Sequence, residues 1–294
     1  MTEAHEHRVA PGWAKALLTA ALILAIAPVV VILVGAVGTK LGLWNWKLGF
    51  GAVMVRGPFG VGWAPALAML AIAVSLIGVI VSIWVGSWKR SLAALLISLA
   101  TMGAFIFMGG QARKAPPIHD VSTNWNEPLM FSEAVMRERG AGANPVVANP
   151  VLAADHPAFG GRRIAEVNEQ TCPAAKPVLL KTSAEDAYVR TKAALGKEGL
   201  DIVTDDPAAG RLEAVATSFW YGFKDDLVAR VAPEGSGARV DMRSVSRVGM
   251  SDLGQNCKRI AAAHSVLAHM IQLVREGRVL TDGPASLDSD YRLP

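Results

Sequence analysis

Hydropathy divides the chain into two unlike parts. Up to Gly110 the apolar residues come in long uninterrupted runs; beyond it they come in short periodic patterns. The clearest run is Ser91–Gly110, SLAALLISLATMGAFIFMGG, which has no charged residue in 20 positions. As a helix it would be about 30 Å long, the thickness of a bilayer's hydrocarbon core. Two similar runs precede it, Ala14–Val37 and Trp63–Trp84. A secretory signal peptide is the rival reading of the first. That run is too long for a signal core, and Pro28 directly follows its Ala25-Ile26-Ala27 site, where it would block cleavage. Three uncleaved membrane helices are therefore expected, with Pro28 tolerated as it is in lipid-embedded helices. Gly38–Gly62 reads as a connection rich in glycine and aromatics, and Val85–Arg90 as a short turn.

After Arg113 the pattern changes again. Residues 113–176 contain seven prolines and a small tandem repeat, Ala143-Asn-Pro-Val-Val followed by Ala148-Asn-Pro-Val-Leu. Prolines at this density favour extended and turn structure. Met130–Arg139 is the one stretch suited to a short helix. Ile118, Trp125, Leu129, Phe131 and Phe159 need burial, so this linker is expected to wrap over the domain that follows.

From Pro177 the elements are readable. Val178–Lys181 is a strand, and Ser183 with Asp186 caps a helix over Ala184–Leu195 that Gly196 and Gly199 end. Strands follow at Asp201–Thr204, Arg211–Tyr221, Asp226–Ala232 and Ala238–Ser246, separated by turns at Asp206–Gly210 and Pro233–Gly237. In the last strand Arg239, Asp241 and Arg243 alternate with Val240 and Met242, which predicts one wet face and one buried face. The final helix, Asp252–Arg275, carries the stripe Leu253, Cys257, Ile260, His264, Leu267, Ile271 and Val274. The expected fold class is α+β: three transmembrane helices ahead of a small antiparallel sandwich of order βαββββα. The units are a membrane anchor (1–112), the linker (113–176), the domain (177–276) and a polar tail (277–294).

Charge sharpens this picture. Met1–Arg113 holds eight Lys/Arg against two Asp/Glu, a net of +6, whereas the remainder holds 21 against 23, a net of −2. The basic residues thus flank apolar spans. A nucleic-acid binder would carry them on the folded domain, so nucleic acid is not an expected partner. Six of the eight tryptophans (13, 44, 46, 63, 84 and 88) lie at or between span ends, where an interfacial aromatic belt belongs. The span interiors are uncharged, so an ion path is not indicated and the helices read as anchors. Lys89 and Arg90 crowd a very short turn, and such charges resist translocation most strongly. That favours the N-terminus inside and the C-terminal domain outside the cytoplasm.

Few residues suggest chemistry. Cys172 and Cys257 are the only cysteines. In an oxidising compartment they could pair, closing a loop that would stabilise the fold by roughly 4 kcal/mol; two separate buried thiols are the alternative. Their spacing excludes a C-x-x-C redox pair and a Cys-based zinc site. Gly249-Met-Ser-Asp-Leu-Gly254 is one residue too long for a nucleophile elbow, and Ser251 and Asp252 fit better as helix-start residues. His264 and His269 are five apart and do not share a helical face as metal ligands would. His119-Asp120 reads as a polar pair in a connector. Arg243 and Arg247, with Ser251 and Asn256 at a helix N-terminus, could hold an anion such as a phosphate or lipid headgroup. Salt links to Asp225, Asp226 or Asp241 are the duller use. Catalytic residues, a metal site and a cofactor are not expected.

Four motifs carry a resemblance: PPIHDVST (116–123), RLEAVATS (211–218), FKDDLVARV (223–231) and VDMRSVSRVGMSDLGQN (240–256). Together they resemble the domain of unknown function 1499 family of bacteria and plastids, over roughly Pro116–Leu273. The arrangement with spans ahead of the domain is similar to an alphaproteobacterial type. The resemblance implies an α+β domain in an envelope or thylakoid-lumen setting and no established activity. One departure is Thr171-Cys172-Pro173, where relatives carry Ala-Tyr-Pro. The combined expectation is a multi-pass bacterial inner-membrane protein with a periplasmic domain. It would act as a non-catalytic interaction or assembly factor, with the bilayer and other envelope proteins as partners. The alternative is a binding or enzymatic domain for a lipid or anionic small molecule.

Overall fold

The computed structural model describes residues 11–275, apart from 58–59, 86–87 and 157. The polar tail expected at 277–294 lies outside the described residues. Contacts divide the chain into two units: residues up to Lys114 together with Phe219–Gly222, and Ala115–Ser218 with the chain from Phe223 on.

The first unit is built on three helices, α1 (Gly12–Lys40), α2 (Trp63–Val85) and α3 (Trp88–Lys114), each long and apolar enough to cross a membrane. Their packing is inverted relative to a water-soluble bundle. The buried stripe of α2 is Ala64, Ala68, Ala71, Ser75, Gly78 and Ser82, at spacings of four and three, and it faces Ala14, Ala21 and Ala25 of α1 and Ser91, Ala94 and Ser98 of α3 among the buried positions. The large side chains, including Ile23, Leu33, Ile80, Leu96 and Phe107, are exposed. In water this would be unfavourable; in lipid it is the expected solution. Small residues let backbones approach and gain dispersion contacts, and the tails of the lipid solvate the Leu and Ile. Ser91 Oγ donates to Gly78 O at 3.1 Å, a hydrogen bond between α3 and α2.

The connection after α1 is more ordered than its sequence suggested. Lys47–Val55 forms a nine-residue π-helical segment packed against α1. Glycines permit the approach: a Cβ on Gly49 would lie 1.9 Å from Thr39 Oγ1 and 2.6 Å from Gly35 O. Trp44 closes the junction by donating from Nε1 to Gly35 O at 3.2 Å.

The second unit is an α+β domain with a six-stranded antiparallel sheet. Its strands are β1 (Asp120–Ser122), β2 (Val178–Leu180), β3 (Asp201–Asp206), β4 (Arg211–Thr217), β5 (Lys224–Glu234) and β6 (Gly237–Ser246). The order is β1-β6-β5-β4-β3, with β2 also pairing to β6; β1 lies along the C-terminal part of β6 and β2 along its N-terminal part. The helices are α4 (Glu133–Arg139), α5 (Ile164–Thr171), α6 (Ala184–Lys197) and α7 (Gln255–Arg275). Ser183 caps α6 by accepting from Asp186 N, and Asp252 accepts from Gly254 N and Asn256 N ahead of α7. Both helices contribute to the main core: Ala187, Leu195, Ile260 and Leu267 pack with Leu212, Leu227, Val240 and Met242 of the sheet.

Residues 115–176, read from sequence as a wrapping linker, belong to this unit and supply β1, α4 and α5. Two of these elements were not expected. β1 has only three residues, too few for a periodic signal, and α5 is a two-turn helix without a side-chain N-cap. The second correction concerns the predicted wet face. Arg243 is fully buried and Asp241 nearly so, because residues 120–150 roof that side of the sheet, where Leu129, Phe131 and Val135 pack on Val228 and Val245. A three-layer domain results, with a charged inner seam beneath the roof.

The close π-helix contact gives a direct test. Gly49→Val should lower the melting temperature of the detergent-solubilised protein sharply, since backbone and Thr39 occupy the space of the new side chain. Gly103→Ala, whose Cβ meets nothing within 4 Å, should leave it unchanged or slightly raised.

Candidate functional site

Of the residues proposed from sequence to hold an anion, Arg243 and Arg247 turn to the roofed face of the sheet, whereas Asn256 lies on the α7 side with Ser244 and Ser246. Their donors are already engaged. Arg243 donates from Nε to Asp120 Oδ1 (3.0 Å), from Nη1 to Leu129 O (2.9 Å) and Met130 Sδ (3.5 Å), and from Nη2 to Asp120 Oδ2 and Val147 O (both 2.6 Å). A guanidinium has five N–H donors, and these contacts account for all of them. Its Cζ also stands 4.9 Å from the Trp125 ring centroid.

Arg247 is held by a bidentate pair to Asp226 (Nη2–Oδ1 2.7 Å, Nε–Oδ2 2.9 Å) and by Glu138 at 3.2 Å. Asp226 is buried and receives a second cation, Arg139, at 2.5 Å. Burial works to lower the Arg247 pKa, but Asp226 and Glu138 outweigh it and hold it above its ordinary value. For Arg139 burial prevails and the pKa is lowered.

Ser251 Oγ donates to Pro116 O at 3.0 Å. Asn256 accepts from Ser244 Oγ (2.6 Å) and donates to Ser246 Oγ and His119 O (both 3.0 Å). Arg259 spans from Ser244 and Asn256 to Asp225, at 2.9 Å from its Oδ2. On the roofed face Glu213 accepts from Ser132 N and Oγ, Thr204 Oγ1 and Arg211 Nη2, at 2.6–2.8 Å. Burial alone would raise the Glu213 carboxyl, yet these hydrogen bonds hold it below the usual carboxylate range.

The four motifs noted in the sequence are therefore one interior network. Asp120 of the first pairs with Arg243 of the last, Asp226 of the third pairs with Arg247 of the last, and Glu213 of the second anchors the roof through Ser132. A family model described as Protein of unknown function (DUF1499) matches residues 120–267, half of the chain. The chain belongs to the DUF1499 family. A search of the curated proteins finds no match. The DUF1499 match begins at Asp120, the first residue of β1 and the acid that pairs with Arg243.

Three further features complete the inventory of this DUF1499 domain. Cys172 and Cys257 form a disulfide that ties the end of α5 to α7. His264 of α7 has a buried Nε2 with no hydrogen-bond partner among the described residues, and burial lowers its pKa. An open groove of about 1360 Å³ runs beside α6, lined by Tyr188, Val189, Lys192, Ile202 and Pro207 among others. Three of its polar groups are engaged with one another: Tyr188 Oη donates to Asp205 Oδ1 at 2.6 Å, and Lys192 pairs with Asp205. Among the described residues there is no cluster of three His, Cys, Asp or Glu able to hold a metal ion. Sequence reasoning offered Asp226 among the carboxylates for salt links but missed Asp120, the partner of Arg243. The signal lay in the shared motif set, since both acids and both arginines sit inside the matching segments.

Two measurements follow from this geometry. Asp120→Leu leaves a buried guanidinium without its counterion and should cost about 3–5 kcal/mol, whereas Asp120→Leu with Arg243→Met should cost clearly less than the sum of the two single changes. Thermal unfolding of the full chain in detergent reads both. His264 is neutral when folded, while an unfolded histidine takes a proton below about pH 6.5. Its contribution to stability is thus complete above that pH and is lost as pH falls toward its depressed folded value. The melting temperature should drop between pH 7.5 and 5.5, and His264→Phe should make that drop smaller.

Proposed function

We propose that this protein is a multi-pass bacterial inner-membrane protein whose DUF1499 domain stands on the periplasmic side. There it works through contacts with other membrane or envelope proteins and not through catalysis. The Cys172–Cys257 disulfide is the observation that carries this reading, because cytosolic thiols are kept reduced whereas envelope compartments let such bonds persist. The small-residue packing of α1–α3 with Leu and Ile facing outward supports the bilayer as their solvent. Lys89 and Arg90 beside the α2–α3 turn support an N-terminus inside. The motif residues support a role through binding surfaces, since their charges hold the domain together.

The reading of the same domain as a site for a lipid or anionic small molecule at Arg243, Arg247 and Ser251 gains no support from their geometry. All three would have to exchange protein partners for the ligand, and for Arg243 the exchange would remove the counterion of a buried charge.

Alkaline-phosphatase fusions after Gly110 and at Pro294 test the location. Active fusions, together with cysteines that label only after reduction, are the expected result. Inactive fusions with freely labelled thiols would place the domain in the cytoplasm and remove the proposal. Reduction should also lower the melting temperature, by an amount corresponding to about 2–4 kcal/mol for a bridge closing a loop of this size.

A further inference from the structure

The bundle of α1–α3 has two unlike ends. Leu18 of α1, Gly78 of α2 and Ser91 of α3 meet at one of them: a Cβ on Gly78 would lie 3.3 Å from Leu18 Cδ2 and 3.7 Å from Ser91 Oγ. The end of α1, the π-helical segment, the start of α2 and the end of α3 share the other. That second end holds Lys40, Lys47, Arg56, Arg113 and Lys114, against Lys15, Lys89 and Arg90 at the first. Residues 11–114 include no Asp or Glu, so no carboxylate within this stretch neutralises any of them.

At the more cationic end a groove of about 330 Å³ opens between α3 and the chain that leads into α2. One wall is a single face of α3. Phe105, Ile106, Gly109, Gly110 and Arg113 recur at i, i+1, i+4, i+5 and i+8 and cover about 12 Å of helix. The opposite wall runs from Val55, at the end of the π-helical segment, to Pro65 in the first turn of α2. Glycines shape both walls. A Cβ on Gly62 would lie 2.4 Å from Met54 C and from Val53 O, so only glycine lets that wall fold so tightly. Gly109 and Gly110 leave the α3 wall without side chains, and a Cβ on either would meet nothing within 4 Å. Large residues such as Ile23, Ile80 and Leu96 project from the bundle elsewhere, which makes this gap an apolar recess.

The mouth of the recess is charged. Arg113 borders the groove and is exposed. Its side chain has no hydrogen bond or ion pair among the described residues, and neither has that of Arg56, which directly follows Val55 of the opposite wall. Arg243 and Arg247 of the sheet domain spend their donors on the protein's own carboxylates; these two do not. A guanidinium presents a planar fork of donors that matches a phosphate, and its charge is retained at every physiological pH.

We propose that this groove binds an anionic glycerophospholipid, with one acyl chain lying along Phe105, Ile106 and Gly109 and the headgroup phosphate held by Arg113 with Arg56. The occupant is anionic because the cations are unneutralised, and it carries a chain because the recess below Arg113 is lined by carbon. The volume is at the low end for a small-molecule pocket, which suits part of one chain while the rest of the lipid stays in the bilayer. The site rests on the membrane reading above. It goes further by giving the spanning helices a lipid class to recognise, in the leaflet farther from the start of α1.

The test uses the full chain in detergent, freed of lipid and titrated with phosphatidylglycerol, phosphatidylcholine or inorganic phosphate. Native mass spectrometry reads retained lipid, and the melting temperature reads its effect. The expected result is saturable retention of phosphatidylglycerol with a rise in melting temperature, weaker retention of phosphatidylcholine, and no response to inorganic phosphate. Arg113→Gln should weaken phosphatidylglycerol binding about tenfold, the loss of a charge-assisted hydrogen bond. Gly109→Phe, which puts a ring into the groove, should abolish retention without lowering the melting temperature of the lipid-free protein. Lys89→Gln, at the opposite end, should change neither. Equal retention of phosphatidylcholine would mean ordinary boundary lipid, and a response to inorganic phosphate equal to that of the lipid would mean a bare anion site. Retention indifferent to both Arg113→Gln and Gly109→Phe would put the lipid elsewhere. Each of these three outcomes overturns the proposal. Flotation with phosphatidylcholine vesicles separates its failure from that of the membrane reading. A protein that floats but shows no preference loses only the groove, whereas one that does not float loses the membrane reading and the site with it.

Discussion

The arrangement of the domain depends on keeping one guanidinium out of water. Moving a charge of that kind from water into a protein interior costs several kcal/mol even after relaxation, and the cost is offset only when counterion and hydrogen bonds are all in place. For Arg243 they come from separate stretches: the Asp120 carboxylate on β1, the carbonyl of Leu129 and the thioether of Met130, the carbonyl of Val147, and the face of Trp125. No one of these can leave without stranding a donor. A proline-rich segment that has little secondary structure of its own is held in one path over the sheet by this requirement. The Asp226 cluster repeats the device at the other side of the roof, with Arg139 of α4 and Arg247 beyond β6 sharing one buried carboxylate.

That dependence explains what the sequence could and could not reveal. The helices α6 and α7 and the strands β3–β6 were legible because each is long enough to display its period and is bounded by turn or capping residues. The spans were legible for a simpler reason, since apolar runs of this length have few other uses. The roof was not legible in detail. Its elements are short, and its register is fixed by contacts far away in sequence, 123 residues for Asp120 with Arg243 and 87 for Arg139 with Asp226. Alternation of Arg239, Asp241 and Arg243 with Val240 and Met242 correctly showed that β6 has two unlike faces. It could not show that the polar face would be covered, because periodicity reports which residues share a face and not what lies above it. The same limit applies to Arg243 and Arg247 as a site. Two arginines near a helix start suggest an anion, and they do hold anions: the carboxylates of the protein itself.

The disulfide acts on a different part of the same problem. α5 is a two-turn helix whose side chain Asn168 satisfies the backbone of β1, donating to Asp120 O and accepting from Ser122 N at 3.0 Å each. The strand that carries the counterion of Arg243 is thus positioned from one side by β6 and from the other by α5. Cys172, at the end of α5, fixes that helix to α7 through Cys257. A covalent bond therefore supports an electrostatic one through a two-turn helix that would have little stability alone.

A domain whose polar motif residues are committed to one another has its opportunities for function at the periphery, and its periphery is asymmetric. Catalysis and tight anion binding call for donors that are preorganised yet unpaired before the ligand arrives. Among the described residues, the buried side-chain atoms of the domain without a hydrogen-bond partner include Trp125 Nε1, Arg139 Nε, Arg211 Nε and His264 Nε2. The remaining distinctive features of the domain are surfaces: the polar β3–β4 and β5–β6 turns at one end of the sheet and the exposed edge of β3 with Asp201, Asp205 and Asp206. Acidic residues on a free edge discourage nonspecific strand pairing.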